Sequence, residues 1–497
     1  MRYKTLLLLL AQSACLRVTL QPETPTVCKQ GQGTIVLAGG GAEGDLGDES
    51  AWSFSLYGAL VENGDLNGDG VIHVSILATE ASADPSFLPS YFVWLGEARG
   101  LTVEAENFIL PTRQAAEKPE VLRKIASSEA IFIKGGDQGV YYDQWNDSAL
   151  EAAIRSVVVD CKGAIGGTSA GAMSLSQYSF SGSRDLIAED VLADSHTSFL
   201  DDDSTPGTSG IHDDFLPFVP NLLVDTHYTA RGRMGRLLGI MGKAAEDFQD
   251  HGFISIGLEE RTGVVLQDHL AKVIGTGEVS FLQETAQTTL QRTPGAPLQY
   301  SFVRLDRLTH GWSFDLQSKQ PSLKNTPKDT QLVLPQKTTY TQDAALLIRG
   351  DLESNNQRFS RVAAFFPSEY STAPTAQSSF IEGSVGFTDC GETDNRMDKQ
   401  ETLFRALFDA PGEWGFLLFF GGALQRELGS PKQVLFTGSG QQPPMAGIAI
   451  DSSKVTHKNL SPFVSNWAAD KSTLHAAAMI GLVVHVLAPS QTLLLGE

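Results

Sequence analysis

The chain has 497 residues, 41% hydrophobic and 19% charged, enough to bury a large core and to divide into two domains. Its formal net charge of -21 at pH 7 argues against nucleic acid or an anionic membrane surface as partner, because both require basic surface. Four cysteines without a Cys-x-x-Cys spacing exclude a disulfide-built scaffold and a zinc-ribbon site.

In chain order, Arg2 and Lys4 precede an apolar run at residues 6–11, and Ser13 and Ala14 follow. This is the pattern of a secretory signal peptide within residues 1–20, cleaved near residues 14–20. Cleavage leaves Cys28, Cys161 and Cys390, an odd set that allows at most one intrachain disulfide. Asn146-Asp-Ser148 and Asn459-Leu-Ser461 are N-glycosylation sequons for a chain that passes through an ER.

Residues 34–38 read as a buried strand ending in Gly39-Gly-Gly41, 51–61 as a helix and 71–78 as a second strand. Asp65-Leu-Asn-Gly-Asp69 resembles the start of a calcium loop, but Ile76 occupies the twelfth position where a bidentate Glu belongs, so a turn is expected. A helix over 91–99, strands at 101–103 and 130–133, a helix over 149–159 and a strand before residue 167 complete the alternation. Such alternation predicts an α/β fold: a doubly wound, mostly parallel sheet with helices on both faces. Residues 185–214 carry nine acidic residues and read as a surface loop, after which strands recur at 222–225, 255–258 and 271–274. Residues 321–338 read as a linker between a catalytic domain at 30–320 and a C-terminal β-rich domain at 339–497. That second domain shows apolar runs at 344–348, 362–366, 416–420, 433–436, 445–450 and 480–487. The stretch 476–487, interrupted by His485, is too short to span a membrane.

The chemistry concentrates at Gly167-Thr-Ser169-Ala-Gly171. Gly-x-Ser-x-Gly between a strand and a helix is a nucleophile elbow, which projects a serine hydroxyl from the top of a sheet. A serine nucleophile needs a base, an acid that orients it and an oxyanion hole. His227, just past the strand 222–225, is the best base, and Glu259 and Glu260 end the strand 255–258. Alternation along a strand allows only one of these two carboxylates to face the site. The amides of Gly136, after the strand 130–133, and of Ala170 form the expected oxyanion hole. Arg231, Arg233 and Arg236 follow the base, with Arg233 and Arg236 on one helical face, a pattern suited to a substrate carboxylate.

Four blocks in order resemble the cyanophycinase-like serine peptidases, relatives of the aspartyl dipeptidases with a glutamine-amidotransferase-like fold. They are Gly135-Gly-Asp-Gln138, Gly167-Thr-Ser-Ala-Gly-Ala172, Asp225 through Leu237, and Gly257-Leu-Glu-Glu-Arg-Thr262. The resemblance spans residues 33–318 and implies Ser169 as nucleophile, His227 as base and Glu260 as the orienting acid. It also implies that Gln138, Asp225, Arg231, Arg233 and Arg236 line a site for aspartyl peptides such as β-Asp-Arg. Thr226 and Tyr228 stand where the family commonly has Gln and Phe. The resulting expectation is a secreted exopeptidase that acts on peptides, with no cofactor, metal, membrane or nucleic acid, and with a homodimer left open. Two alternatives stand beside it. In an α/β-hydrolase-type esterase the base comes last, as His457, His475 or His485, and Gly39-Gly-Gly41 forms the oxyanion loop. In a binding protein the same fold is catalytically silent.

Overall fold

The computed structural model describes residues 31–182, 185–231, 233–324, 326–333, 417–418, 423–426, 433–438, 445–451, 454–465 and 474–494. The chain begins with β1 (Ile35–Ala38), α1 (Trp52–Val61), β2 (Ile72–Ala78), α2 (Phe87–Glu97), β3 (Val103–Ile109), α3 (Arg113–Ala116), α4 (Pro119–Ala126) and β4 (Ala130–Ile133). Next come α5 (Gln138–Trp145), α6 (Ala149–Arg155), β5 (Ala164–Thr168), α7 (Ala170–Met173), β6 (Ser176–Phe180), α8 (Ala188–Ala193) and β7 (Ile211–His212). β8 (Val219–Asp225), α9 (Met234–Phe248), β9 (Ile254–Leu258), β10 (Thr262–Gln267), β11 (Leu270–Gly275) and β12 (Glu278–Gln283) follow.

The strand–helix alternation produces a parallel array ordered β3-β2-β4-β5-β1. Its strands are apolar on both faces because both are covered. On one face Val36, Ala38 and Phe132 pack with Tyr57, Leu60, Tyr91 and Phe92 of α1 and α2. On the other, Leu37, Ile131, Ile133 and Ile165 pack with Ile125, Tyr141, Trp145 and Ile154 of α4, α5 and α6. The parallel character ends at β1. There β10 pairs antiparallel to β1, and β11 returns antiparallel to β10 through a two-residue hairpin with Asp268 at φ 53°.

A second sheet runs β6-β8-β9 in parallel, then adds β12 and the strand Gln299–Thr309 antiparallel. The two sheets share one core, with Phe281 stacked on Phe314 at 4.1 Å between ring centres. The C-terminal region is β-rich as expected, but the boundary at 338/339 does not divide two cores. The strand Leu474–Leu487 pairs with Gln299–Thr309 along its length, and Gly447–Asp451 and His457–Ser465 pair with it in turn. Buried Trp312 donates its indole N–H to Asn459 Oδ1 at 2.7 Å. Ile448 and Val484 belong to the same apolar cluster as Leu37.

Other expectations change with packing. The acidic segment 185–214 is built into the molecule rather than laid over it: Leu186, Val191, Leu192, Leu200 and Ile211 are buried. Asp202 is buried too; it accepts the Ser204 and Thr205 amides at 2.9 and 2.7 Å and meets His212 Nε2 at 3.3 Å. Both sequon asparagines are buried, Asn146 within the α5–α6 turn and Asn459 against Trp312, so neither offers a glycan site in the folded protein. The Asp65 loop is a turn whose carboxylate caps the amides of Gly68 and Gly70 at 2.6 and 2.9 Å. Cys161 is disulfide-bonded. The signal segment at 1–20, Cys28, Cys390 and the apolar runs at 344–348 and 362–366 lie outside the described residues. Among the described residues no helix is long and apolar enough to cross a membrane, and no group of three or more His, Cys, Asp or Glu side chains is arranged to hold a metal ion.

Candidate active site

Ser169 occupies the single residue between β5 and α7, at φ 53° and ψ -124°. A side-chain-bearing residue in this sparsely allowed region stores roughly 1–3 kcal/mol, held here by the packing around it. Its amide donates to Ala38 O of β1 at 3.0 Å, and its carbonyl accepts from Ala172 N and Met173 N, so the turn is clamped on both sides. Gly171 permits the closeness: a Cβ there would lie 2.2 Å from Ile133 O. The strand–turn–helix expected from the sequence is therefore the observed local structure.

Ser169 Oγ lies 2.8 Å from His227 Nε2, and His227 Nδ1 lies 2.6 Å from Glu260 Oε1. His227 stands two residues past the last residue of β8 and takes a left-handed backbone, φ 51°. Glu260 lies in the turn between β9 and β10, its side chain toward the imidazole. Glu259 is buried behind it against Gly277, so the two carboxylates diverge as strand alternation requires.

The electrostatics suit a neutral imidazole. Burial pushes the His227 pKa below its ordinary 6.5; the Glu260 hydrogen bond opposes that, and the nearby Arg231 charge reinforces it. The hydrogen bond from His227 and the charges of Arg231 and Arg261 hold the Glu260 carboxyl below the ordinary value against the cost of its burial. A neutral base beside an ionised carboxylate results. Nδ1 carries the proton toward Glu260, and Nε2 is left to accept from the serine.

Gly39-Gly-Gly41 has a different place from the oxyanion loop of the esterase alternative. Gly39 O accepts His227 N at 2.9 Å and Gly40 O accepts Arg261 N at 2.8 Å, so the end of β1 fastens the two loops that carry base and acid. Gly40 has φ +101°, and a Cβ on it would sit 2.3 Å from His227 Cε1. The imidazole thus rests on bare backbone, a support that no motif in the sequence announces. The late histidines are elsewhere: His485 is buried against Phe302, and His457 meets its neighbour Thr456. The side chain of His475 lies outside the described residues.

Gly135 abuts the nucleophile; a Cβ on it would lie 3.2 Å from Ser169 Cβ. Tyr141 OH, buried in α5, hydrogen-bonds to the carbonyls of Lys134 at 2.9 Å and Gly135 at 3.1 Å. In a trans peptide the N–H opposes its C=O, so pinning the Gly135 carbonyl aims the Gly136 amide away from Tyr141. Gln138 opens α5 and is buried, and its Nε2 has no hydrogen-bond partner among the described residues.

The residues expected to line a substrate site divide in two. Arg231 is exposed, its amide donating to His227 O at 2.9 Å. Asp225 and Arg236 are corrections: they are 0% and 1% exposed and have no surface to offer a substrate. Arg236 Nε lies 3.0 Å from Asp225 Oδ2, its Nη1 donates to Leu186 O at 3.1 Å, and its guanidinium stacks over Phe180. Arg233 is mostly buried, with Nη1 3.2 Å from Asp225 Oδ1 and 2.9 Å from Thr226 O. Burial and the Arg236 charge lower its pKa to about 10, with Asp225 opposing. These two arginines and Asp225 form an ionic core that anchors the start of α9 beneath His227. Tyr228 packs its ring on Gly257 and is likewise structural. A cavity lined by His73, Glu104, Glu106 and Lys124 at the β2–β3 edge shares no residue with this site.

The sequence profile of peptidase family S51 matches residues 101–201. The cyanophycinase of Trichormus variabilis is 26% identical over 306 residues, which cover 61% of this chain and 90% of that protein. That of Geminocystis herdmanii is 26% identical over 256 residues, covering 51% and 86%. Among solved structures, a peptidase from an acI-B1 Actinobacterium matches at 21% identity and TM-score 0.35, covering 57% of this chain and 98% of that one. A putative peptidase E protein from Listeria monocytogenes EGD-e matches at 14% identity and TM-score 0.29, covering 50% and 98%. The chain is similar to the cyanophycinases, matches peptidase family S51 over residues 101–201, and is a serine-type peptidase, a hydrolase.

Proposed function

We propose that the protein is a secreted exopeptidase that cleaves aspartyl peptide bonds, β-Asp-Arg among them, through Ser169, His227 and Glu260. The continuous hydrogen-bond line Ser169–His227–Glu260 carries this reading. Ser169 Oγ attacks the scissile carbonyl while His227 Nε2 takes its proton. Glu260 holds Nδ1–H and stabilises the imidazolium that forms. The Gly136 and Ala170 amides receive the oxyanion, Gly136 from the turn pinned by Tyr141 and Ala170 from the first position of α7. The imidazolium then protonates the leaving amine, the C–N bond breaks, and an acyl-Ser169 ester remains. Water attacks that ester with His227 again as base, releasing the acid product and restoring the serine. Gln138 and Arg231 flank this centre and are the groups assigned to the substrate.

The aspartyl preference is supported by the name that the relatives share, by Arg231 beside the base and by the four ordered sequence blocks. Export is supported by the N-terminal pattern of Arg2, Lys4 and residues 6–11, and by the disulfide at Cys161, since disulfides persist in oxidising compartments. The test is hydrolysis of β-Asp-Arg and α-aspartyl dipeptides by the full chain and by Ser169→Ala. Turnover lost in the variant supports the reading; undiminished turnover refutes it.

A further inference from the structure

The glycines that hold base and acid run directly into a loop gripped by α1. Gly39 and Gly40 accept the amides of His227 and Arg261, and a Cβ on Gly41 would lie 3.4 Å from Glu260 Cβ. The next three residues lie near the surface: Ala42 is exposed, and Glu43 and Gly44 are half-buried. Each is held by one side chain from the first turns of α1. Trp52 Nε1 donates to Ala42 O at 2.9 Å, Tyr57 Oη donates to Glu43 Oε1 at 3.2 Å, and Ser53 Oγ accepts the Gly44 amide at 3.1 Å.

A hydroxyl on the buried face of a helix is costly unless it is paired. Ser53 is 0% exposed, and besides the Gly44 amide its Oγ meets Tyr91 Oη of α2 at 2.7 Å. The loop is thus tied through α1 to α2. Gly44 completes the fit. It is not among the left-handed glycines, so its missing side chain answers a contact: a Cβ there would stand 2.1 Å from Ala51 Cβ, at the N-cap of α1.

We propose that Gly44, Trp52 and Ser53 are positioning residues, a clamp through which α1 sets where Gly39–Gly41, and hence the His227 imidazole, stand. This rests on the reading of His227 as the base of Ser169. The clamp acts through backbone rather than on substrate, so loosening it slows the proton transfer and leaves affinity alone: kcat falls while KM holds.

The experiment is Gly44→Ala in the full chain. Its Cβ must move about 1.4 Å or more from the Ala51 methyl to reach ordinary carbon contact. The rate at which a fluorophosphonate labels Ser169, taken per labelled site, should drop about tenfold, as should kcat for β-Asp-Arg, with KM within about twofold. Adding Ala51→Gly removes the opposing methyl. The nearest remaining atoms are then 3.5 and 3.8 Å from the new Cβ, and glycine is accepted at a helix N-cap. This double variant should regain the wild-type labelling rate within about twofold. Trp52→Phe keeps a ring and deletes the N–H; it should lose about threefold to fivefold, and it carries the test where Gly44→Ala fails to fold. A clamp that serves stability alone would lower the labelled fraction and leave the rate per site unchanged; that result overturns the proposal. A deficit in Gly44→Ala that Ala51→Gly does not restore overturns it too. Failure of the peptidase reading is seen separately, as wild type that the probe does not label at Ser169 or hydrolysis that survives Ser169→Ala.

Discussion

Replacing Gly40 by alanine tests the support beneath the base without touching a reacting group. The added Cβ would stand 2.3 Å from His227 Cε1, 2.7 Å from Nε2 and 3.0 Å from Nδ1. Carbon atoms rest about 3.5–4.0 Å apart, so relief requires the ring or the loop to shift by roughly 1.2 Å or more. The present Ser169–His227 contact is 2.8 Å, and a shift of that size away from Gly40 carries it out of hydrogen-bond range. A displacement near 1 Å costs about 10²-fold in rate, which is about 2.7 kcal/mol of transition-state stabilisation. The backbone adds its own cost, since φ +101° is poorly tolerated with a side chain and charges roughly 1–3 kcal/mol to folding. Gly40→Ala is thus expected to fold, to lose about 1–3 kcal/mol in urea unfolding and to lose about 10²-fold in kcat. The assays are dipeptide hydrolysis and the labelling rate of Ser169 by a fluorophosphonate. A variant whose kcat stays within about twofold of wild type would refute the argument that bare backbone positions the imidazole.

Other outcomes follow from the same geometry. Because burial depresses the His227 pKa, the neutral base persists into more acidic solution, and the acid limb of kcat/KM should fall below the ordinary histidine value of 6.5. Glu260→Gln removes the group that raises that pKa, so the limb should move lower still while kcat drops by about 10³–10⁴-fold; a limb moving upward contradicts the assignment. Arg236→Met removes the more buried of the two arginines paired with buried Asp225 and should cost about 3–5 kcal/mol in denaturant unfolding, with a smaller loss when Asp225→Leu accompanies it. Truncation after residue 338 removes the strand paired to Gln299–Thr309 and the partner of Trp312, leaving an open apolar edge. The shortened chain should precipitate or lose cooperative melting by circular dichroism, whereas a soluble, cooperatively melting product would show that the C-terminal strands are dispensable.

What was readable in the sequence is what local rules encode. The elbow at Ser169 has a short motif because its strain demands small neighbours on both sides. His227 and Glu260 were legible as candidates because strand ends are marked by an apolar run that stops. The parallel array came from alternation, and its antiparallel extension did not, since a two-residue hairpin at Asp268 leaves little trace. Asp225 and Arg236 were read as substrate ligands because spacing places residues on a helix face without saying which way that face looks. The acidic composition of 185–214 hid the apolar residues that bury it. The pairing of Trp312 with Asn459 spans 147 residues and has no local signature. Gly40 was read within the oxyanion loop of the esterase alternative, and its role under the imidazole stayed hidden because the partner ring arrives from another strand end.

The fastening of His227 and Arg261 by the carbonyls of Gly39 and Gly40 also governs when activity can begin. The nucleophile and base are 58 residues apart and the base and acid 33, and the turn that joins them lies near the chain's start. No fragment emerging from the ribosome holds a working centre until the β9–β10 turn has been made and has returned to β1. An incomplete chain therefore carries no assembled Ser169–His227–Glu260 line.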